Sequence, residues 1–145
     1  MSRVARVSIE LDQPAAQVFE QVVSLAAYPS WNPFVVKVDG AARATLGAQL
    51  RFDVRWPGGG GARPSLVVTR LEPEQREVAW AFTGALASLN LVRAERVQRV
   101  IELSPTRCRY ESEETFTGVL VAFVPLSKVQ AGVDLQARAM STRNS

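Results

Sequence analysis

A chain of 145 residues, 47% hydrophobic and 21% charged, has the size and composition of one globular domain, and we predict a single domain over residues 1–145. It contains no histidine, which excludes Ser-His-Asp and Cys-His catalysis, histidine-containing zinc sites and facial-triad iron, so we expect neither a metal nor a cofactor. The net charge of +3 comes from arginines interleaved with glutamates, and such a mixed surface does not indicate nucleic-acid binding.

The N-terminus and the cysteine content bear on the compartment. Met1-Ser2-Arg3-Val4 leads directly into a strand pattern instead of an apolar signal segment, so we expect a cytoplasmic protein. No apolar run reaches the roughly 18 residues that a bilayer crossing takes, and we expect no integral membrane segment. The single Cys108 cannot form an internal disulfide, and without a histidine to activate it we expect a structural thiol.

The first predicted elements are a strand, a helix and a proline-rich turn. Residues 4–12 alternate apolar and polar side chains, which predicts a half-buried strand. A helix is predicted over residues 15–23, with Asp12 as its N-terminal cap. Between Ser24 and Pro33 two prolines flank Trp31, which indicates a short helix or turn that could act as a lid over the core.

Strands fill the middle of the chain, because period-two alternation continues between turn signals up to Gly118. The glycine run at residues 58–61 is followed by neither Gly-Lys-Ser/Thr nor a helix, so we predict a flexible hairpin loop and not a phosphate-binding loop. The predicted strands are residues 35–38, 49–56, 65–71, 77–83, 89–103 and 107–117.

One long helix is predicted to close the chain, from Val119 to about Met140. Pro125 should kink this helix or confine its first turn to a looser segment. An antiparallel sheet packed on a C-terminal helix is an α+β architecture. Apolar residues recur at helical spacing at Leu120, Phe123, Leu126, Val129, Val133, Ala137 and Met140.

Two stretches near the N-terminus carry a resemblance to a known family. Asp12-Gln13-Pro14-Ala15-Ala16-Gln17-Val18-Phe19, followed by Tyr28-Pro29-Ser30-Trp31-Asn32-Pro33-Phe34, resembles the opening of the START-like superfamily, which includes the polyketide cyclase/dehydrase and lipid-transport proteins. Later landmarks look similar in the same order, so the resemblance covers essentially the whole chain. These landmarks are Gly47 with Leu50, the strand Val78–Phe82, and Ser112-Glu113-Glu114-Thr115-Phe116-Thr117-Gly118.

The resemblance implies a helix-grip fold, in which a curved seven-stranded antiparallel sheet surrounds the C-terminal helix and leaves an internal apolar cavity. The chain departs from many similar proteins on the strand after Leu91, where it has Gln98 and Arg99 instead of a histidine. It also lacks the paired histidines of the superfamily's iron oxygenases, so no iron centre is implied.

The orientation of the charged side chains on the two long strands decides the chemistry of such a cavity. Simple alternation places Arg93, Glu95 and Arg99 on the same face as Leu91, toward the cavity. A bulge in this strand would instead reverse the parity and send those three side chains to solvent. The candidate catalytic residues are Arg93, Arg99, Tyr110 and Glu114.

Large apolar side chains on the predicted inner faces are candidates for ligand contact, although each could equally be ordinary core. The residues predicted to contact a ligand are Trp31, Phe34, Phe52, Val54, Trp56, Trp80, Phe82, Leu91, Tyr110, Ser112, Phe116, Leu120, Phe123 and Val133.

The leading functional hypothesis is binding of a hydrophobic small molecule, such as a lipid, a polyketide or an aromatic compound, which needs only burial and a few polar anchors. The alternative is a cyclase or aromatase acting on a poly-β-keto chain. In that reaction Arg93 or Arg99 would stabilise enolate charge, Glu114 or Glu95 would move a proton, and Tyr110 would orient a carbonyl.

RNA binding is a third hypothesis, based on the arginines of the two long strands. Aromatic residues that could stack on bases are not interleaved with these arginines, so we expect no nucleic-acid partner. The arginines concerned are Arg93, Arg96, Arg99, Arg107 and Arg109.

Overall fold

A computed structural model describes residues 2–142 as strands and helices in the predicted order. The strands are β1 (Arg3–Leu11), β2 (Val35–Gly40), β3 (Gln49–Arg55), β4 (Gly61–Ala62), β5 (Ser65–Glu72), β6 (Glu77–Phe82), β7 (Arg93–Ser104) and β8 (Arg107–Thr117). The helices are α1 (Ala15–Val23), α2 (Ala85–Ser88) and α3 (Leu126–Thr142), with 3-10 turns at Leu25–Ser30, Pro73–Gln75 and Val121–Phe123.

The strands form one antiparallel sheet with the order β1-β8-β7-β6-β5-β3-β2, and β4 is a short addition paired with β3. The sheet curls into a half-barrel against α3, so the predicted α+β helix-grip architecture is confirmed. The glycine run turns the chain between β3 and β4, which agrees with the predicted hairpin loop. The α3 helix is fixed to the edge strand β1, where the Gln130 side chain exchanges hydrogen bonds with the backbone of Arg6 at 2.6 and 3.0 Å.

The buried face of α3 matches the predicted stripe from Val129 onward. Val133, Ala137 and Met140 are at most 1% exposed. Close contact with the sheet side also depends on Gly132, because a Cβ at this position would lie 2.1 Å from Cε1 of Phe34. The missing side chain therefore allows the Phe34 ring to lie against the helix backbone.

The predicted start of the last helix at Val119 is wrong, because α3 begins at Leu126. Pro125 has no N–H and its ring clashes with a preceding helical turn, so the regular helix cannot extend back through it. Its carbonyl instead accepts the first helical N–H bonds, from Lys128 and Val129. The segment before it is the looser turn that the sequence offered as one alternative, and the Phe123 side chain there is 82% exposed.

Other element ends also differ from the predictions. Asp12 does not cap α1, because the cap position is Pro14 and the Asp12 carboxylate instead accepts a 3.0 Å hydrogen bond from Arg107. The seventh strand starts at Arg93 and not at Leu89, since the short helix α2 occupies part of the preceding segment. Among residues 2–142, none of the helices combines the length and hydrophobicity that a bilayer crossing requires.

Candidate functional site

A cavity of about 450 Å³ lies between the sheet and the start of α3. Its walls come from alternate residues of the central strands, because side chains two apart on a strand share a face. This volume is within the range of small-molecule sites. Of the predicted site residues, those that line it are Phe34, Phe52, Val54, Trp56, Trp80, Phe82, Glu114, Phe116, Leu120 and Phe123. Contact of these residues with a ligand stays a prediction.

Aromatic rings make much of the wall and pack on one another. Phe52 and Trp80 meet edge to face with ring centroids 5.4 Å apart, and Phe82 and Phe116 do so at 6.2 Å. Such contacts hold the rings in fixed positions, so the apolar wall is a preformed surface. Lining residues that the sequence analysis did not single out as ligand contacts are Val35, Ala62, Arg63, Pro64, Leu66, Val92, Arg96, Val124, Pro125 and Val129.

Several predicted ligand contacts lie outside the cavity lining. Trp31 packs on Tyr28 with ring centroids 5.3 Å apart. Leu91 is in the turn before β7, where its carbonyl accepts the N–H of Leu120 at 2.8 Å. Val133 is buried one helical turn beyond the lining residue Val129. Tyr110 and Ser112 point inward but lie deeper than the cavity surface, where they contact Arg96.

The inward orientation predicted for Arg93, Glu95 and Arg99 is wrong, and the bulge alternative is correct. The β7–β8 register shifts at Leu103, which lies between the pairs formed by its two neighbours. This extra residue reverses the parity of β7 relative to β8, so all three charged side chains are exposed on the outer face. Arg99 forms an ion pair there with Glu77, so neither Arg93 nor Arg99 is a cavity residue.

The reversed parity brings Arg96 into the interior, where it is only 3% exposed. Its guanidinium donates hydrogen bonds to Ser112 Oγ at 2.8 Å, Gln136 Oε1 at 3.3 Å and Tyr110 Oη at 3.3 Å. The Tyr110 hydroxyl in turn donates to Gln98 Oε1, and burial raises the Tyr110 pKa, so the hydroxyl stays protonated. These contacts fix the guanidinium at the inner end of the cavity.

Glu114 is the residue directly opposite Arg96 on β8, and it also lines the cavity. Burial raises the pKa of its carboxyl group, and the positive charge of Arg96 offsets part of that effect. No direct ion pair joins the two side chains, and within the described chain Arg96 has no carboxylate partner. The cavity therefore has apolar walls and one polar end made by a cation and a carboxyl group.

The sequence contained signals for the residues that the prediction missed. Tyr110, Ser112 and Glu114 were correctly placed inward, and directly opposite residues of an antiparallel pair share a face. The position of the bulge was the missing fact that would have assigned Arg96 and Gln98 to that face. No group of acidic or cysteine side chains in the described part of the chain is arranged to hold a metal ion.

Comparison with known proteins assigns the fold to a family. The family described as polyketide cyclase/dehydrase and lipid transport matches residues 2–141. The chain belongs to this family. No curated protein matches the sequence significantly.

Solved structures at low sequence identity share the architecture. Norcoclaurine synthase from Thalictrum flavum, in complex with dopamine and hydroxybenzaldehyde, is 15% identical with a TM-score of 0.74, over 98% of this chain and 86% of that one. A START superfamily protein from Mycobacterium smegmatis is 21% identical with a TM-score of 0.70, over 97% and 95%. The di-domain ARO/CYC BexL is 18% identical with a TM-score of 0.68, over 97% of this chain and 44% of BexL. At these identities the likeness shows the fold alone.

Proposed function

We propose that the protein binds a hydrophobic small molecule in this cavity and places an acidic or carbonyl group of that molecule against Arg96. The observation that carries the proposal is the position of Arg96, a buried cation without a carboxylate partner in the described residues, at the end of an otherwise apolar cavity. A guanidinium also has more N–H groups than the three side chains around Arg96 use, so donors remain for a ligand.

Electrostatics favours an acidic ligand over a neutral one of the same shape. A buried charge without a partner is costly, and an anion brought to Arg96 supplies that partner. A hydrogen bond to a charged group contributes about 1.5–3 kcal/mol, which corresponds to roughly a ten- to a hundredfold change in affinity. Glu114 supports this preference, because a carboxyl group with a raised pKa binds a proton readily and then adds no competing negative charge.

The walls select for an apolar body. Burial of apolar surface contributes about 25 cal/mol per Å², and the aromatic rings beside Trp80 offer such a surface on several sides. Lipids, polyketides and aromatic compounds carrying one acidic or carbonyl group have this combination of properties. The cavity opens to solvent beside Phe123, which gives a ligand a route inward.

Native mass spectrometry of the purified protein, followed by titration with a fatty acid, tests this proposal. We expect a co-purifying small molecule or saturable binding of the acid at one site. Val92→Trp, which places an indole into the cavity wall, should weaken binding, whereas Leu46→Trp on an exposed turn should not. Binding that is equal in the two variants would place the ligand elsewhere.

A second candidate function is catalysis of a cyclase or aromatase type in the same cavity. Arg93, Arg99 and Glu95 cannot take the roles predicted for them, because they lie on the outer face. Arg96 and Glu114 can: the guanidinium would stabilise an enolate oxygen, and the carboxyl group, with its raised pKa, would transfer a proton.

Turnover separates the two candidates. A binding protein takes up a poly-β-keto compound saturably and releases it unchanged. An enzyme releases a cyclised or dehydrated product, and Glu114→Gln should then abolish product formation while the ligand still binds. Absence of product with the native protein would leave binding as the function.

A further inference from the structure

Exposed apolar side chains surround the cavity mouth. The backbone N–H groups of Val119 and Leu120 donate to the carbonyls of Asn90 and Leu91 at 3.1 and 2.8 Å, which ties the segment after β8 to the turn before β7. On these two joined segments the exposed fractions are 67% for Leu89, 70% for Val119, 37% for Leu120 and 82% for Phe123. These four side chains are called the mouth patch below.

The sequence explains why the patch is outside. Pro125 stops α3 from extending backward, so residues 119–124 form a turn and not a helix with one buried face. Leu120 and Phe123, which belong to the helical apolar pattern, consequently point to the rim of the cavity and to solvent. Large exposed apolar patches on a folded protein mark interaction sites.

The charges beside the patch are all positive among the side chains that adjoin it directly. Arg63 lines the cavity, Arg93 begins β7, Lys128 is in the first turn of α3, and Arg3 donates to the Val124 carbonyl at 2.8 Å. Within residues 2–142 none of these four forms an ion pair. By contrast, the outer-face arginines Arg6, Arg70, Arg99 and Arg107 all pair with carboxylates.

We propose that the mouth patch docks on the surface of an anionic lipid bilayer. Apolar side chains flanked by basic ones fit this surface, since the former enter the boundary between headgroups and acyl chains and the latter attract anionic headgroups. Leu120 and Phe123 belong to both the patch and the cavity wall, so docking brings the cavity mouth to the membrane. Transfer of a ligand between bilayer and cavity rests on the proposed function, but docking itself does not.

Vesicle flotation tests the proposal. The protein is mixed with phosphatidylcholine vesicles with and without phosphatidylserine, at low and at physiological salt. We expect flotation with the anionic vesicles, weaker flotation at higher salt, and little with phosphatidylcholine alone. Equal flotation with both vesicle types, or none with either, would overturn the proposal.

Matched substitutions locate the surface. Val119→Asp should reduce flotation about tenfold or more, whereas Leu46→Asp should not. Leu46 is 68% exposed, close to the 70% of Val119, and precedes β3 at the end remote from the mouth. Likewise Lys128→Gln should weaken flotation more than Arg138→Gln, which lies further along α3. Equal effects within either pair would contradict the proposed orientation.

Ligand binding and oligomeric state distinguish membrane docking from loss of the cavity and from dimerisation. Val119 does not line the cavity, so Val119→Asp should bind a fatty acid in solution as the native protein does. Loss of flotation with intact ligand binding supports docking, and failure of ligand binding in the native protein leaves the flotation result unaffected. A dimer that dissociates in Val119→Asp, without any flotation of the native protein, would show that a second copy covers the patch and would overturn the proposal.

Discussion

The close approach of Phe34 to α3 predicts an unusual response to Gly132→Ala. Alanine in place of a glycine inside a helix ordinarily stabilises by about 0.8–1.0 kcal/mol. Here the new Cβ would lie 2.1 Å from Cε1 and 2.2 Å from Cδ1 of the Phe34 ring. Overpacking of a core costs about 1–3 kcal/mol, so we expect an unchanged free energy of unfolding or a decrease of up to about 2 kcal/mol.

The ring has little freedom to avoid this contact. Trp56 packs beside it with ring centroids 6.0 Å apart, and the Phe34 backbone N–H donates to Asn32 Oδ1 at 2.9 Å. Displacement of the ring would be into the cavity, so Gly132→Ala should also weaken the binding of a large ligand.

Urea denaturation of a double-mutant cycle with Phe34→Leu measures the contact. Phe34→Leu removes the ring atoms that the new Cβ would meet. In that background Gly132→Ala should change sign and stabilise by up to about 1 kcal/mol. Stabilisation of the same size in both backgrounds would refute the packing argument.

Three further predictions follow from the core, the buried carboxyl group and the proline-rich segment. Trp80→Ala should destabilise by about 3–5 kcal/mol in urea denaturation, because Trp80 is 1% exposed; an unchanged midpoint would contradict its central position. The raised pKa of Glu114 means that the folded state holds its proton more tightly, so stability should be full below the ordinary value of 4.5 and fall as pH rises through the raised pKa. Glu114→Gln should remove that fall, and an identical pH profile would argue against a buried carboxyl group. Hydrogen exchange in residues 28–34 should slow when an apolar ligand binds, because Phe34 lines the cavity; equal exchange would exclude a lid role for this segment.

The fold could be predicted from the sequence because its strands carry a strong period-two signal. In β3, Leu50, Phe52 and Val54 alternate with polar residues, and the structure buries all three. In α1 the apolar face containing Val18 and Val22 is buried as expected. These patterns depend only on local geometry, which the sequence records directly.

The site was harder to predict because it depends on register. One extra residue at Leu103 exchanges the two faces of β7, and nothing in the local composition marks the bulge. The face with Val97 and Ile101 looks more apolar, yet the face with Arg96 and Gln98 is the buried one. Contacts with β8 and α3 satisfy those polar groups, and such long-range contacts are not visible in a strand pattern.

The helix start shows a second limit of periodicity. Leu120 and Phe123 have the spacing of the α3 stripe but precede Pro125. The proline removes a backbone donor and blocks the preceding turn, so a local covalent restriction overrides the apolar pattern. Its effect at this position is to create the exposed rim of the cavity.

The central claim is that Arg96 gives an apolar cavity a cationic end. A fatty acid and its methyl ester, titrated above the acid's pKa against the native protein, Arg96→Met and Arg99→Met, test it most directly. Arg99 is the matched control, because it lies three residues away on the outer face. Arg96→Lys keeps the charge and separates its loss from loss of the hydrogen bonds to Ser112 and Gln136.

We expect the native protein and Arg99→Met to prefer the acid by roughly ten- to a hundredfold, Arg96→Lys to retain part of the preference, and Arg96→Met to lose it. Equal affinity of the native protein for acid and ester, or an unchanged preference in a folded Arg96→Met variant, would contradict the claim.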